Sequence, residues 1–217
     1  MPTTPRTGPL SGRKAQANRN DETILEAART VFIRDPAAPI SAVAKEAGVG
    51  ISALYRRYTG KEEMLQTLCA NGLATYIACA ETALADEAEP WRAFTGFLRD
   101  VIDADVHALT VNLAGTFTPT EEMGHQAVRA TGLAGQLLDR VKKAAAVRAD
   151  LELNDIAMLL EQLTAVTAGD AERTSVLRRR YLAMHFDALR PEAASGGLPG
   201  PPPTDQELGA RWIPKNA

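Results

Sequence analysis

Residues 55–58 form a basic and aromatic cluster, Tyr-Arg-Arg-Tyr, shortly after the turn sequence Ala-Gly-Val at residues 47–49. Arginine guanidinium groups can pair with phosphate oxygens or with guanine edges, and a tyrosine hydroxyl can donate a hydrogen bond to a phosphate. Lys61 follows at the predicted first turn of a further helix, where backbone N–H groups and the helix dipole favour a phosphate. These residue types predict a surface that binds DNA.

The elements that must position this cluster have the order of a helix-turn-helix. A first helix is predicted from Asn20 to the proline-containing residues 34–39, since proline cannot continue a helix. A second helix begins at about Ile40 and ends at Gly48, because glycine readily adopts a left-handed conformation. The third helix covers residues 51–58, and the second helix of such a motif lies in the major groove of DNA.

A long fourth helix is predicted to follow. Thr59 and Glu62 have the spacing of a capping box, and an apolar stripe continues from Met64 to Leu84. A helix of this length leaves the small N-terminal unit and enters the next one.

The charge of the chain is unevenly distributed. Residues 1–60 contain nine Lys or Arg and five Asp or Glu, whereas the remainder contains fifteen basic and twenty-two acidic residues. Residues 1–19 hold four of these bases and no acid in a sequence rich in Pro, Thr, Gly and Ser, which predicts a flexible basic arm. We therefore expect only the N-terminal end to meet a polyanion.

The rest of the sequence predicts an all-α protein. Apolar residues recur at helical spacing, and no segment alternates as a strand would. We expect a three-helix helix-turn-helix domain at residues 20–66 and a helical domain at residues 67–190. Within the second domain we expect a turn or broken helix at residues 107–120, followed by a helix that glycines interrupt. The Pro- and Gly-rich residues 191–217 are predicted to be a tail.

Composition favours the cytoplasm. No apolar run approaches the roughly 20 residues that span a bilayer, and the N-terminal residues lack the apolar segment of a secretory signal. Cys69 and Cys79 stand too far apart along one predicted helix for a disulfide, so we expect two buried thiols in a reducing compartment. No membrane association is expected.

Catalysis is not expected. The three histidines, His107, His125 and His185, are scattered and have no partner at the spacing of a metal site or a catalytic pair. The Gly-rich tail is not a phosphate-binding loop. We therefore predict no enzyme activity, no cofactor and no metal site.

Residues of about 20–66 resemble the N-terminal domain of the TetR family of transcriptional regulators. The resemblance is carried by Val43-Ala44, Ala47-Gly48-Val49, Leu54-Tyr55, Tyr58 and Lys61-Glu62. It covers about a fifth of the chain. It implies an all-α homodimer whose C-terminal domain binds a small molecule and mediates dimerisation, and whose DNA binding weakens when the ligand binds. The protein would then be a repressor released from a palindromic operator.

Carried over position by position, the resemblance implies a set of DNA contacts. They fall at Ile51, Ser52, Tyr55, Arg56 and Arg57, with Lys61 on a phosphate. Ile51 could contact a thymine methyl, and Ser52 can hydrogen-bond. Tyr58 is expected to pack inside the small domain.

Two positions depart from the family pattern. Pro39 replaces the hydroxyl residue that often caps the second helix, so Ser41 is expected to supply that phosphate contact, and Gly50 leaves the third helix without its usual side-chain cap.

The effector site is less sharply defined by the sequence. The aromatic or soft side chains most able to line a cavity in the C-terminal half are Trp91, Phe94, Phe97, His107, Phe117 and Met123. The acidic balance of this half indicates a neutral or cationic ligand. A constitutive DNA-binding regulator or architectural protein without a small-molecule effector is the alternative.

A dimer follows from the size of the predicted DNA-binding helix. One short helix contacts few base pairs, whereas two copies about 34–36 Å apart would bind a palindrome. The last two helices are the candidates for the dimer interface. Their available apolar residues are Leu159, Leu163, Tyr181, Leu182, Phe186 and Leu189.

Overall fold

The computed structural model describes residues 9–87 and 89–213, with the side chains of residues 9–20 and 110 excepted. All regular elements in these ranges are helical, as predicted. The α-helices are α1 Pro9–Arg34, α2 Ile40–Glu46, α3 Ile51–Tyr55, α4 Lys61–Ala85, α5 Pro90–Asp103, α6 Val106–Leu113, α7 Glu121–Lys143, α8 Leu153–Thr164, α9 Ala171–Ala188 and α10 Asp205–Gly209. Short 3-10 helices occupy Pro191–Ala193 and Ala210–Trp212.

The chain divides into two compact units, Met1–Leu68 and Cys69–Ala217. The division falls two residues beyond the boundary expected from the sequence. It lies inside α4, so this one helix contributes residues to both units.

The first unit is built around α1, α2 and α3, with α1 packed against α2 and α2 against α3. Its core consists of large apolar side chains that are almost fully buried, among them Ile24, Phe32, Leu54, Met64 and Leu65. The side chains of α1 in this core recur at helical spacing, as the sequence predicted.

Helix α1 begins eleven residues earlier than the sequence analysis expected. It starts at Pro9 rather than Asn20, so residues 9–19 of the predicted flexible arm are helical, and residues 1–8 lie outside the described residues. Proline is tolerated at a first helical position, because the N–H that it lacks would have had no partner within the helix. The prediction treated proline as a sign of flexible chain, whereas Pro9 is the first residue of this helix.

The second unit is organised around α5, which packs against α6, α7, α8 and α9. Glu89 caps this helix by accepting hydrogen bonds from the backbone N–H groups of Trp91 (3.0 Å) and Arg92 (3.1 Å). Pro90 stands at the first helical position, as predicted. The buried face of α5 includes Phe94, Leu98 and other apolar residues that form the core of this unit.

Two details of the middle of the chain differ from the prediction. Of residues 107–120, where a turn or broken helix was expected, residues 107–113 belong to the regular helix α6, whereas residues 114–120 are non-helical as expected. Helix α7 continues through Gly132 and Gly135 without interruption. A glycine within a helix costs only about 1 kcal/mol relative to alanine, so tertiary packing can override it. A side chain at Gly135 would meet Leu153 of α8.

The C-terminal residues are also more ordered than the predicted tail. Thr204 and Glu207 form a capping box that starts α10, and Trp212 packs edge-on against Phe117 with ring centroids 6.0 Å apart. Asn154 Nδ2 donates to the Pro203 carbonyl oxygen at 2.8 Å. Residues 191–213 are therefore part of the second unit.

By length and composition alone, α4 is able to cross a membrane. One 18-residue window of it has a mean hydropathy of 1.2, which the sequence analysis did not anticipate. Met64 and Leu65 of α4 are buried in the first unit, and Ile77 and Ala80 in the second. A helix that packs inside a water-soluble protein passes the same test, so the observation is weak evidence for a membrane span.

A buried arginine joins three parts of the second unit. Arg178 of α9 donates from Nε to the Val166 carbonyl oxygen (3.1 Å), from Nη2 to the Thr164 carbonyl oxygen (2.9 Å) and from Nη1 to Asp105 (2.6 Å). The backbone of Asp105 is left-handed, with φ of 51°. The guanidinium thus supports both the end of α8 and the turn between α5 and α6.

Replacing Arg178 by Met should lower the free energy of unfolding by about 2–4 kcal/mol, because Asp105 and two carbonyl groups lose a partly buried donor. Arg179→Met is the matched control, since Arg179 makes an exposed ion pair with Asp103 and should change stability far less. Chemical denaturation followed by circular dichroism measures both. Equal losses in the two variants would contradict the structural role of Arg178.

Candidate DNA interface and ligand cavity

Helix α3 has one buried and one exposed side. Its residue Leu54 has a fully buried side chain. Tyr58, three residues after the end of α3, is 8% exposed, which confirms the prediction that Tyr58 packs inside the unit. These two anchors leave Ile51, Tyr55 and Arg56 on the surface. Ile51 is 39% exposed and Tyr55 is 56% exposed, although apolar and aromatic side chains usually avoid water. Ser52 is exposed as well. We call Ile51, Ser52, Tyr55 and Arg56 the α3 face.

The two helix starts lack side-chain caps, as the sequence analysis expected. Pro39 precedes α2 and Gly50 precedes α3, and neither supplies a side-chain hydrogen bond to the helix. Ser41 is exposed in the first turn of α2. Gly48 has φ of 65°, a left-handed conformation that favours glycine and forms the turn between α2 and α3.

Arg57 is not part of the α3 face. Its guanidinium pairs with Asp21 of α1, and its side chain is 28% exposed. Arg57 lies two residues beyond the end of α3, and its pairing with Asp21 directs the guanidinium towards α1. The structure therefore separates Arg57 from the four residues of the α3 face, with which the resemblance had grouped it.

Lys61 has an intramolecular partner at the start of α4. Its Nζ donates to the Pro36 carbonyl oxygen at 2.6 Å and lies 5.2 Å from the centroid of the Phe32 ring. Burial lowers the pKa of Lys61, and the nearby carboxylate of Asp35 opposes this effect. The lysine thus fixes the start of α4 to the loop between α1 and α2.

Thr59, the predicted cap of α4, is bonded to Glu63. The Glu63 carboxylate accepts hydrogen bonds from Thr59 N (2.6 Å) and Thr59 Oγ1 (2.8 Å), and these bonds lower the pKa of Glu63. The sequence analysis also overlooked Lys45, an exposed base in the last turn of α2. The signal available in the sequence was a basic residue on α2, the first helix of the helix-turn-helix.

The second unit contains a cavity of about 440 Å³. Helices α4, α6, α7 and α8 contribute to its wall, and α10 and the following 3-10 helix complete it with Leu208, Gly209 and Trp212. Cys69 and Tyr76 of α4 face it together with small side chains of α7. Burial raises the pKa of the Cys69 thiol to about 12, so this thiol is unreactive at neutral pH.

His107 is a titratable group of the cavity wall. Burial lowers its pKa to about 4, although Glu161, the Ala157 backbone and Asp105 favour the charged form; Arg211 acts in the same direction as burial. The imidazole is therefore neutral at pH 7. A neutral ring that donates one hydrogen bond keeps its other nitrogen as an acceptor.

Of the six predicted effector residues, the cavity brings together two, His107 and Met123. Trp91, Phe94 and Phe97 instead pack in the core around α5, and Phe117 is buried against Trp212. Aromatic composition alone did not separate these core residues from cavity residues. The sequence analysis missed other wall residues, of which Tyr76, Asn154 and Trp212 are the largest polar or aromatic ones.

The residues expected at the dimer interface are mostly interior. Leu159, Leu163, Leu182, Phe186 and Leu189 are all buried within the unit itself, because they close the core formed by α5, α8 and α9. Tyr181 alone of the predicted set is exposed, at 41%. Val176 and Met184 are exposed on the same helix, at 48% and 60%.

Residues 24–68 match the sequence model of the family described as bacterial regulatory proteins, tetR family. Residues 89–191 match the C-terminal domain of the SbtR-like transcriptional regulators. The two matches together cover most of the chain, and the chain belongs to the TetR family of transcriptional regulators, which bind DNA through a helix-turn-helix.

Solved structures with the same fold include a TetR transcriptional regulator from Streptomyces coelicolor, which is 24% identical, has a TM-score of 0.56 and covers 78% of this chain and 98% of its own. The ketosteroid transcriptional regulator KstR2 of Mycobacterium tuberculosis is 19% identical, with a TM-score of 0.59 and coverages of 79% and 95%. The regulator LfrR of Mycobacterium smegmatis, in complex with proflavine, is 18% identical, with a TM-score of 0.54 and coverages of 76% and 95%. No curated protein sequence matches the chain.

The burial of neutral His107 should make stability depend on pH. An unfolded histidine has a pKa of about 6.5, so the unfolded chain binds more protons than the folded chain between pH 6.5 and 4, and stability falls as the pH drops through this window. The linkage predicts a loss of about 2 kcal/mol between pH 7.5 and pH 5 from this group. His107→Gln should remove this loss from the measured free energy of unfolding.

Urea denaturation of wild type and His107→Gln at a series of pH values tests the effect. His125→Gln, at an exposed position on α7, is the control and should keep the wild-type pH dependence. Parallel curves for wild type and His107→Gln would show that His107 is not buried in its neutral form.

Proposed function

We propose that this TetR-family regulator is a homodimer that binds a palindromic operator and is released from it by a small molecule. The α3 face carries the proposal, because Ile51, Ser52, Tyr55 and Arg56 project from a helix whose Leu54 is fully buried. A short exposed helix with a fixed underside is the shape that enters a major groove.

Each residue of the α3 face has a chemical role in this proposal. Arg56 would pair with a guanine edge or a phosphate, and Tyr55 would donate to a phosphate oxygen. Ile51 would contact a thymine methyl group, and Ser52 would hydrogen-bond to a base or to the backbone. Ser41 in the first turn of α2 would hold a phosphate beside the groove.

Arg57 and Lys61 remain in the proposed interface with altered roles. An arginine has five N–H donors, so the pairing of Arg57 with Asp21 is compatible with a phosphate contact. Lys61 has three donors and uses one on the Pro36 carbonyl oxygen. Both residues would then fix the orientation of α3 while adding to phosphate affinity.

Dimerisation is proposed through α9. Val176, Tyr181 and Met184 leave apolar or aromatic surface exposed on this helix, and large apolar surface that meets water marks association sites. A symmetric pair of chains would present two α3 faces to a palindrome.

The coupling between effector and DNA is proposed to run through α4. Residues 61–68 of this helix belong to the first unit, while Cys69, Gly72, Leu73 and Tyr76 line the cavity. A molecule in the cavity would change the position of α4, and with it the α3 face. Such a ligand shifts the equilibrium only by its differential affinity for the two arrangements, typically about 1–3 kcal/mol.

A water-soluble regulator of this kind would act in the cytoplasm, where it meets DNA. The cavity lies in the second unit, and the proposal assigns no catalytic step to it. Neither a cofactor nor a metal ion has a part in the proposed mechanism.

Arg56→Ala should weaken binding to the preferred operator by about 1–3 kcal/mol and relax its specificity if Arg56 pairs with a base. An operator selected from a random duplex library, labelled for fluorescence anisotropy, provides the measurement at several salt concentrations. Arg34→Ala is the control, because Arg34 is an exposed base at the end of α1. Wild-type affinity and specificity in Arg56→Ala would contradict the proposed position of the α3 face.

Met184→Glu should dissociate the dimer, because it places a charge in the proposed apolar interface. Sedimentation velocity over a dilution series measures the change, and weaker operator binding should accompany it. Val128→Glu makes the same kind of substitution at a 75% exposed position on α7 and should leave the dimer intact. Dissociation by Val128→Glu but not by Met184→Glu would place the interface on α7.

A further inference from the structure

We propose that residues Leu198–Ile213 form a strap that covers one side of the cavity, and that the site takes an uncharged, mainly apolar molecule in contact with Trp212. This inference rests on the proposed role of the cavity as the effector site. It adds to that role the chemical class of the effector and the part of the chain that controls its entry.

The strap lies beyond the part of the chain that matches the family. The family match ends at residue 191, whereas Leu208, Gly209 and Trp212 complete the cavity wall. Without these three residues the cavity would lose one wall. The strap therefore shapes the site from outside the matched residues.

Specific contacts hold the strap in place. Asn154 Nδ2 donates to the Pro203 carbonyl oxygen and to Asp205 Oδ1, both at 2.8 Å. The ion pair of Arg211 with Glu161 adds a contact to α8. At the other end, the Leu198 N–H donates to Asp150 Oδ2 at 2.8 Å.

A glycine provides the space in which the strap docks. Gly115 has φ of 74°, and a Cβ built on it would lie 2.9 Å from the Arg211 carbonyl oxygen and 3.3 Å from that of Ile213. The backbone of the strap thus passes directly over Gly115, where a side chain would collide with it. Phe117, two residues further on, receives the Trp212 ring.

The strap is also suited to opening. Its hydrogen bonds and its ion pair lie largely at the surface, and Ile213 at its end is 66% exposed. Exposed polar contacts contribute little stability, and segments with little buried apolar surface open locally while the rest of the domain stays folded. Detachment of the strap would widen the entrance of the cavity without unfolding the second unit.

The chemistry of the wall selects the ligand. No described residue that lines the cavity is Asp, Glu, Lys or Arg. Glu161 and Arg211, which face His107 from α8 and from the strap, pair with each other. A charged ligand would have no counter-ion in this wall and would lose its hydration on entry.

The polar groups of the wall are few. His107 is neutral and can accept a hydrogen bond, and Asn154 and Tyr76 are the other large polar side chains at the cavity. The volume of about 440 Å³ lies within the range of sites for small organic molecules. A molecule with an apolar body and one or two hydroxyl or carbonyl groups fits this wall.

The ligand class is tested with two fluorescent probes that share an aromatic body. N-phenyl-1-naphthylamine is neutral, whereas 1-anilinonaphthalene-8-sulfonate carries a negative charge. The protein should bind the neutral probe at least about tenfold more tightly, because the sulfonate would be buried without a partner. Equal binding of both probes, or no binding of the neutral one, would overturn the assignment of an uncharged ligand.

The strap is tested with Gly115→Ala and Trp212→Ala. Gly115→Ala should displace the strap, and Gly169→Ala is the matched control, since Gly169 has φ of 63° and a Cβ there would meet only Arg173. Both strap variants should release the neutral probe about tenfold faster in stopped-flow experiments, whereas the control should behave as wild type.

A second readout does not depend on the probe. Trypsin should cleave after Arg211 faster in Gly115→Ala than in Gly169→Ala, and the neutral probe should slow this cleavage in the wild-type protein. Trp212→Ala keeps Gly115 intact and covers the case in which Gly115→Ala fails to fold. Unchanged probe release and unchanged cleavage in both strap variants would overturn the strap.

The strap and the proposed function can fail separately. Probe binding that depends on the strap, without any change in operator affinity, supports the strap and removes the effector role. A change in operator affinity that is the same in wild type and in both strap variants supports the effector role and overturns the strap.

Discussion

The α3 face depends on the burial of one leucine. Helix α3 has five residues, far fewer than an isolated helix needs to be stable in water. Leu54 is fully buried under it and Tyr58 is almost so, and these contacts to the core of the first unit fix both the helix and its rotation. Side chains on the opposite side must then face solvent. The exposure of Ile51 and Tyr55, unfavourable in the free protein, is therefore a consequence of this anchoring.

The local nature of this anchoring explains which features of the first unit could be predicted. The spacing of Ala47-Gly48-Val49 and the buried Leu54 determine the turn and the short helix, and both are readable in the sequence because they are local. Arg57 is different, because its pairing with Asp21 joins positions 36 residues apart in the chain. No local pattern indicates that Arg56 faces solvent and its neighbour faces α1.

The cavity was harder to predict, for a related reason. Trp91 and Phe97 have the residue types of a ligand site, yet the apolar face of α5 makes them core residues in the centre of the second unit. The strap escaped notice because its proline content dominated the reading of residues 191–217. Thr204 and Glu207 have the spacing of a capping box, and Trp212 follows shortly after the helix that this box begins. The sequence therefore did contain a local signal for a helix here. What the sequence could not show is that Gly115 receives this segment.

In the proposed function, α4 is the element by which an effector in the cavity would act on the first unit. Four of its residues, Cys69, Gly72, Leu73 and Tyr76, line the cavity, and residues 61–68 of the same helix belong to the first unit. Helix α6 faces the same space with Val106, His107 and Leu109, so an effector that fills the space would contact both helices. Because α4 alone of the two continues into the first unit, a change in its position is the change that the α3 face would register. The strength of such a response would be limited by how differently the cavity binds its ligand in the two positions of α4.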